Sequence, residues 1–419
     1  MRRPVLLAIL ALTLSSVIQT KLQTLYNPAD FHAFNGPQAN KACGDGLFSG
    51  MVTPLGYPWS SYTVTTQDNY VLKLFRIQAK NTQIKSGKPV VFLQHGLLDS
   101  SDDWVINTEQ FSFGFVLANA GYDVWFGNSR GNKYSKLNTK ISPLRREFWD
   151  FSWQEMGQYD VKANIQFVLS FTSQPKLIYV GHSQGTTQMF AALGDPVTAP
   201  FINQSVKKFI ALAPVVYCPN FSSVFFLDLA KNTLLIDASE LFGIDEWLPG
   251  PCSTSSAQAE FQKYVCELDP LLCDWVITIA DYNPKYDNAK LMPIVAEHEP
   301  SGTSLRCLLH YRQLLMAPKH APVFQKYDFG ALENIKKYGQ KTAPMYDLSN
   351  INIPVRGFVG LDDELGDPID NDYLTNTLTT VLKKDYKEYI YNNCGHLTFM
   401  WGLNPTQIFS DVMAEIQSA

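Results

Sequence analysis

After Lys176 the chain runs Leu-Ile-Tyr-Val, stops at Gly181-His182-Ser183-Gln184-Gly185, and continues in helix-compatible sequence. A serine presented from the tip of a strand must sit on a sharp, strained turn, and glycines two residues to either side let the chain bend there without Cβ clashes. The five-residue pattern is weak alone, because Gly and Ser are common residues. Its meaning depends on whether the rest of the chain can supply partners for Ser183.

The surroundings are those of a layered α/β chain. Pro89–His95, Tyr122–Gly127, Lys176–Val180 and Lys208–Ala213 are strand-like, while 109–120, 152–171 and 185–193 read as helices. Such alternation predicts a mostly parallel sheet with helices on both faces. Ahead of it, Tyr62–Thr66 and Tyr70–Phe75 flank Gln67-Asp68-Asn69, an antiparallel hairpin at the sheet edge. The rhythm stops after Pro214 and resumes at Ile353–Val359, with a helix over 373–383, a strand at Tyr386–Tyr391 and a last helix over 405–418. A core of residues 40–215 and 345–419, with a mainly helical cap or lid of 216–344 inserted, is the organisation expected.

The ends and the composition narrow the setting. Met1-Arg-Arg, the apolar run Pro4–Leu12 and the polar Ser15–Thr20 have the three-part layout of a secretory signal, here residues 1–20 with cleavage between Ser16 and Gln23. No other segment approaches eighteen uninterrupted apolar residues, so no transmembrane span is expected after its removal. A net charge of -5 with no basic stripe argues against nucleic acid as a partner. The sequons at Asn203 and Asn220 are glycosylation candidates on such a route. Seven cysteines leave at least one without an intramolecular partner.

A serine hydroxyl is a poor nucleophile until a base takes its proton, and the base needs an orienting acid. With this type of elbow the chain order is Ser, acid, His. His298, His310 and His320 fall in the proposed cap and read as cap or surface residues. His396 follows a core strand, in Asn-Asn-Cys-Gly-His. The acid belongs after the preceding strand, where Asp362, Asp363 and Glu364 stand undistinguished by spacing; Asp367 before Pro368 reads as a helix N-cap. The cluster lacks the ligand spacing of a calcium loop, so no metal is expected. Two N–H donors are needed for the developing oxyanion. Gln184, opening the helix after the elbow, supplies one, and the turn Gln94-His95-Gly96-Leu97-Leu98 supplies the other.

Between Gly56 and Trp401 stand Gly56-Tyr-Pro, His95-Gly-Leu-Leu, Ala120-Gly-Tyr-Asp-Val-Trp, Gly127-Asn-Ser-Arg-Gly-Asn, Phe148-Trp149, Tyr159-Asp160, Gly181-His-Ser-Gln-Gly-Thr and Asp363-x-Leu-x-Asp-Pro. Jointly these resemble the acid lipase family of α/β-hydrolases, which includes gastric and lysosomal lipases. The resemblance implies an α/β-hydrolase fold with Ser183 as nucleophile, Asp363 as triad acid, His396 as base, and Leu97 and Gln184 as oxyanion donors. It implies no cofactor, and it implies a secreted or lysosomal/vacuolar enzyme that hydrolyses fatty acid esters, triacylglycerols or steryl esters, at a lipid–water interface.

Cys266 and Cys273 resemble the family's cap disulfide. One continuous helix would hold their Cα atoms about 10 Å apart, beyond the ~7 Å a disulfide spans, and Asp269-Pro270 supplies the needed break. Cys43 resembles a cysteine of plant-type members, but Trp59 occupies the usual partner's place, so Cys43 is expected to be the odd thiol. The chain also departs from the family at Asp68-Asn69, where Asp-Gly is usual, and at Leu397-Thr398-Phe399, where Leu-Asp-Phe is usual. The segment Phe221–Leu229 with Leu234, Leu235, Leu241, Phe242, Trp247 and Leu248 reads as a lid and acyl-chain wall. A steryl-ester hydrolase or lipid acyltransferase is the alternative within enzymes, and a lipid-binding protein on a dead hydrolase fold the alternative outside them.

Overall fold

One eight-strand sheet, parallel over most of its width, carries the elbow on a central strand. The computed structural model describes residues 43–224, 226–227, 245–252 and 280–419. The proposed signal, the Cys266–Cys273 pair and part of the apolar lid segment lie outside them. Strands β1 (Trp59–Thr65) and β2 (Val71–Ile77) form the edge hairpin, antiparallel throughout, with Asn69 in its turn at φ 74°. Asn tolerates that left-handed conformation, which is how this turn dispenses with glycine.

β2 pairs antiparallel with β4 (Asp123–Gly127). From there β4, β3 (Val90–Gln94), β5 (Leu177–His182), β6 (Val206–Leu212), β9 (Val355–Gly360) and β10 (Tyr386–Tyr391) run parallel. Because neighbouring side chains on a strand point to opposite faces, the buried strands feed two cores. Phe92, Trp125, Tyr179 and Phe209 enter one, while Leu93, Val124, Val180 and Ile210 enter the other.

The first face is covered by α3 (Val161–Thr172) and α4 (Gln184–Gly194), and the second by α2 (Phe113–Asn119) and α10 (Thr406–Gln417). A short α1 (Gly46–Val52) also packs on the second face through Phe48 and Val52. A three-residue helical turn, Trp153–Glu155, and a π turn over Met156–Asp160 lead into α3. α5 (Ala199–Ser205) precedes β6 and has no counterpart among the helices expected from sequence.

Between β6 and β9 the described residues contain the two-residue strands β7 (Glu246–Trp247) and β8 (Thr303–Ser304). They also contain α6 (Met292–His298), α7 (Leu305–Leu315) and α8 (Ala331–Tyr338). Leu291, Met292 and Val295 join one core, and Cys307, Tyr311 and Leu314 the other. α9 (Pro368–Asn376) then lies between β9 and β10.

Cys43 is bonded to Cys252, with Cα atoms 5.3 Å apart and a separation of 209 positions in sequence. This corrects the expectation that Cys43 is the odd thiol: its partner comes from the segment between β6 and β9, so the presence of Trp59 at the family position is irrelevant to it. Among the described residues the free thiols are Cys218, Cys307 and Cys394, all buried.

Candidate active site

Ser183 sits between β5 and α4 with φ 52° and ψ -120°, a strained conformation for a residue with a side chain. Its N–H donates to the Leu212 carbonyl on β6 (3.1 Å), and its carbonyl accepts from the Thr186 N–H (2.8 Å). The flanking glycines are required by contact. A Cβ on Gly181 would stand 2.7 Å from the Gly185 carbonyl carbon, and one on Gly185 would run into the Gln94 carbonyl oxygen at the end of β3.

The turn after β3 lies against this elbow. A Cβ on Gly96 would be 3.1 Å from the Ser183 Cβ and 2.6 Å from the Asp99 carboxylate. The Gly96 N–H donates to that carboxylate (3.2 Å), and the Leu98 carbonyl accepts from the Ser301 N–H of the insertion (2.6 Å). His95 Nε2 accepts from the Ser129 N–H (3.0 Å), which leaves the ring proton on Nδ1 to donate to the Gly96 carbonyl (2.8 Å). Burial pulls the His95 pKa down to about 4, so the neutral ring holds the turn. Among the described residues nothing accepts from the N–H of Leu97 or Gln184.

His396, after β10, and Asp363, after β9, meet at hydrogen-bonding distance. The imidazole Nδ1 lies 3.0 and 2.9 Å from the two carboxylate oxygens. Asp363 also accepts from the Leu365 and Gly366 N–H groups (2.8 and 2.6 Å), which fix its rotamer. Neither Asp362 nor Glu364 bonds the imidazole, and Asp367 caps α9 by accepting from the Ile369 N–H (2.8 Å). With Nδ1 donating to Asp363, the buried Nε2 is free to accept, and no described group donates to it. Ser183, Asp363 and His396 all follow the carboxyl ends of parallel strands, where open α/β sheets place their ligand sites.

Three contributors had no signal in the sequence pattern. His182, the variable residue of the elbow, donates from Nε2 to the His396 carbonyl (2.9 Å), ring centroids 5.0 Å apart. Burial and the neighbouring imidazole lower its pKa to about 3, so it is neutral. Asp281 and Asp287 reach the His396 loop from the insertion: Asp281 accepts from the His396 and Leu397 N–H groups, and Asp287 from the Thr398 hydroxyl (2.7 Å). Composition alone cannot reveal them, since they stand more than a hundred residues away in sequence.

The remaining candidates lie elsewhere. His298 is paired with buried Asp102 (2.7 Å), and His310 stacks on Trp153 with ring centroids 3.7 Å apart. His320 is exposed. The Asn203 side-chain amide donates to the Asn350 carbonyl (2.8 Å), and that of Asn220 to Asp370 (2.9 Å), so both sequon amides are engaged in the folded chain. Among the described residues no cluster of His, Cys, Asp and Glu has the arrangement to hold a metal ion, and no helix is long and apolar enough to cross a membrane.

Residues 48–108 match the partial alpha/beta-hydrolase lipase region, and residues 89–245 the alpha/beta hydrolase fold. The chain is 37% identical to bovine gastric triacylglycerol lipase, the alignment covering 87% of this chain and 90% of the relative. It is 36% identical to human lysosomal acid lipase/cholesteryl ester hydrolase, over 87% and 89% of the two chains. The chain belongs to the acid lipase family. A solved structure from Sulfolobus solfataricus, described as a lipase candidate, matches with TM-score 0.53 at 16% identity, covering 86% of this chain and 94% of that one; it speaks to the fold alone. This member of the acid lipase family carries Thr398 where an Asp is usual. Its hydroxyl accepts from the Gly395 N–H (2.9 Å) while donating to Asp287, so the carboxylate beside the histidine loop comes from the segment between β6 and β9.

Proposed function

We propose that this acid lipase family member hydrolyses carboxylic esters of fatty acids, triacylglycerols or steryl esters, through an acyl-enzyme on Ser183. The observation that carries the reading is the His396–Asp363 pair, with Nε2 unpartnered, on the same strand-end rim as a strained serine. Ser183 attacks the ester carbonyl as His396 Nε2 takes its proton, and Asp363 stabilises the imidazolium and holds its tautomer. The developing oxyanion is met by the N–H groups of Leu97 and Gln184, the latter at the positive end of α4. Collapse of the tetrahedral intermediate breaks the ester bond, and the imidazolium gives its proton to the leaving alcohol. Water, deprotonated by His396, then releases the fatty acid. These steps call for no group beyond substrate and water.

The relatives' names cover both triacylglycerols and cholesteryl esters, so both are offered as substrates. A secretory destination agrees with the Cys43–Cys252 disulfide, which persists in oxidising compartments. The test is hydrolysis of a panel of long-chain triacylglycerols and steryl esters from pH 4 to 8 by wild type and Ser183→Ala. Turnover of at least one ester class by wild type, lost in the variant, is expected. Retained turnover in Ser183→Ala would sink the reading.

A further inference from the structure

We propose that Asp281, where the inserted segment returns to the core, is a positioning residue for His396, and that its pairing with Asp287 makes this positioning depend on one proton held between two buried carboxyl groups. The inference rests on the Ser183–Asp363–His396 reading and deepens it.

The segment carrying Asp281 is bound to both loops that hold the acid and the base. Its backbone bridges to Asp363, with the Tyr282 N–H on the Asp362 carbonyl (2.9 Å) and the Glu364 N–H on the Ala280 carbonyl (3.0 Å). The Asp281 carboxyl group faces the other loop. Oδ1 accepts from the His396 N–H, and Oδ2 accepts from the Leu397 N–H (3.1 Å). Gly395 is required beside it, because a Cβ there would occupy the place of the Asp281 carboxyl. The backbone of the catalytic histidine thus hangs on one side chain from the insertion, while its ring hangs on Asp363.

Asp287 completes the arrangement from six residues further on. Its Oδ1 accepts from Thr398, whose Oγ1 accepts from the Gly395 N–H, and the Asn288 N–H donates to the Trp401 carbonyl (2.7 Å). Asp287 Oδ2 is buried and finds no donor among the described N–H and O–H groups. The two carboxyl groups are within hydrogen-bonding reach of each other, so a proton on Asp281 supplies the missing donor. Asp281 is 2% exposed and Asp287 3%, which rules out solvation as the substitute. The titratable groups facing the pair are Asp363 on the β9 loop and Cys394 and His396 on the β10 loop. His182 stands behind His396, and Tyr286, in the same segment as the pair, donates to Asn393. Burial raises the pKa of both members, and the neighbouring Asp287 and Asp363 raise that of Asp281 further. Once the shared proton leaves, two like charges are forced together next to Asp363, and the cheapest relief is displacement of the loop that carries His396.

The test measures kcat and KM against pH for wild type, Asp281→Asn, Asp281→Ala and Asp287→Asn, with the rate of fluorophosphonate labelling of Ser183 as a second readout. Asparagine at 281 keeps a carbonyl for the loop N–H groups and turns its amide toward Asp287, imitating the protonated pair. Asp281→Asn should stay within about threefold of wild-type kcat at pH 5, with its alkaline limb moved up by about one pH unit. Asp281→Ala should lose about 10–100-fold in kcat and in labelling rate at little change in KM, as expected when a base is misplaced rather than removed. If Asp281→Ala fails to fold, Asp287→Asn decides, because it also removes the second charge and should raise the alkaline limb. An unmoved alkaline limb in both asparagine variants, or wild-type kcat in a folded Asp281→Ala, overturns the proposal while leaving the enzyme reading intact. A wild-type protein that hydrolyses no ester overturns both.

Discussion

Asp363 has an acidic neighbour on either side in the chain, yet its carboxylate alone meets His396 Nδ1, because the backbone N–H groups of Leu365 and Gly366 turn it toward β10. Asp363→Asn should therefore lower kcat by about 10⁴-fold in a folded protein by stabilising the wrong imidazole tautomer. Asp362→Asn and Glu364→Gln should stay within about threefold of wild type. Steady-state kinetics on one ester, with circular dichroism as a check of the fold, decides this. Spacing had left these three acids open, since a loop of four carboxylates carries no periodicity to say which side chain faces which way, and only the family pattern favoured Asp363. The positions of Ser183 and His396 are legible because each stands where a strand ends, which sequence can locate. His182, Asp281 and Asp287 are not, because their roles come from contacts between segments far apart in the chain.

At the scale of elements, the elbow works because β3, β5 and α4 approach closely at Gly181 and Gly185. Gly185→Ala should push α4 off the Gln94 carbonyl, lowering the melting temperature and slowing fluorophosphonate labelling of Ser183 together. A second device holds the edge hairpin. Arg130, buried, bonds Asp68 in the hairpin turn and Asp160 in the π turn, and its guanidinium lies 4.1 Å from the Tyr70 ring centroid. Arg130→Ala would strand two carboxylates, one of them buried, at a cost of about 3–5 kcal/mol. Thermal denaturation should register this as a clear fall in melting temperature, and an unchanged transition would contradict it. The long apolar strands were read from sequence nearly residue for residue, since burial on both faces leaves an unmistakable run. α5 gives no clear sequence signal, because seven residues containing Pro200 show too little periodicity. The π turn was missed because one wide turn does not disturb an amphipathic pattern. The Cys43–Cys252 bond was misjudged because pairing across 209 residues depends on the fold alone.

For the whole molecule, the buried titratable groups give stability a definite dependence on pH. Burial and nearby carboxylates raise Asp99 to about 7 and Glu299 to about 8, against about 4 in the unfolded chain. The folded state binds the extra protons, so this contribution is full below pH 4 and is lost as pH rises to 8. Burial lowers His95, His182 and His310 to about 4, 3 and 3, so between about pH 4 and 6.5 the unfolded chain binds the extra protons and stability rises with pH. The two sets oppose each other below pH 6.5, and only the carboxyls act above it. The melting temperature should change little from pH 5 to 6.5 and fall from 6.5 to 8.5. Glu299→Gln should flatten that fall, and a melting temperature that rises through this window would contradict the assignment.

If Ser183 is the nucleophile of an ester hydrolase, with His396 as its base, it must react with a mechanism-based acylation mimic. This is tested most directly by treating the full-length protein with an alkyl fluorophosphonate at pH 5 and locating the adduct by peptide mass spectrometry. One phosphonyl group is expected, on Ser183, absent from Ser183→Ala and formed far more slowly in His396→Ala. An adduct on another residue, or no adduct on a folded protein that still hydrolyses esters, would contradict it.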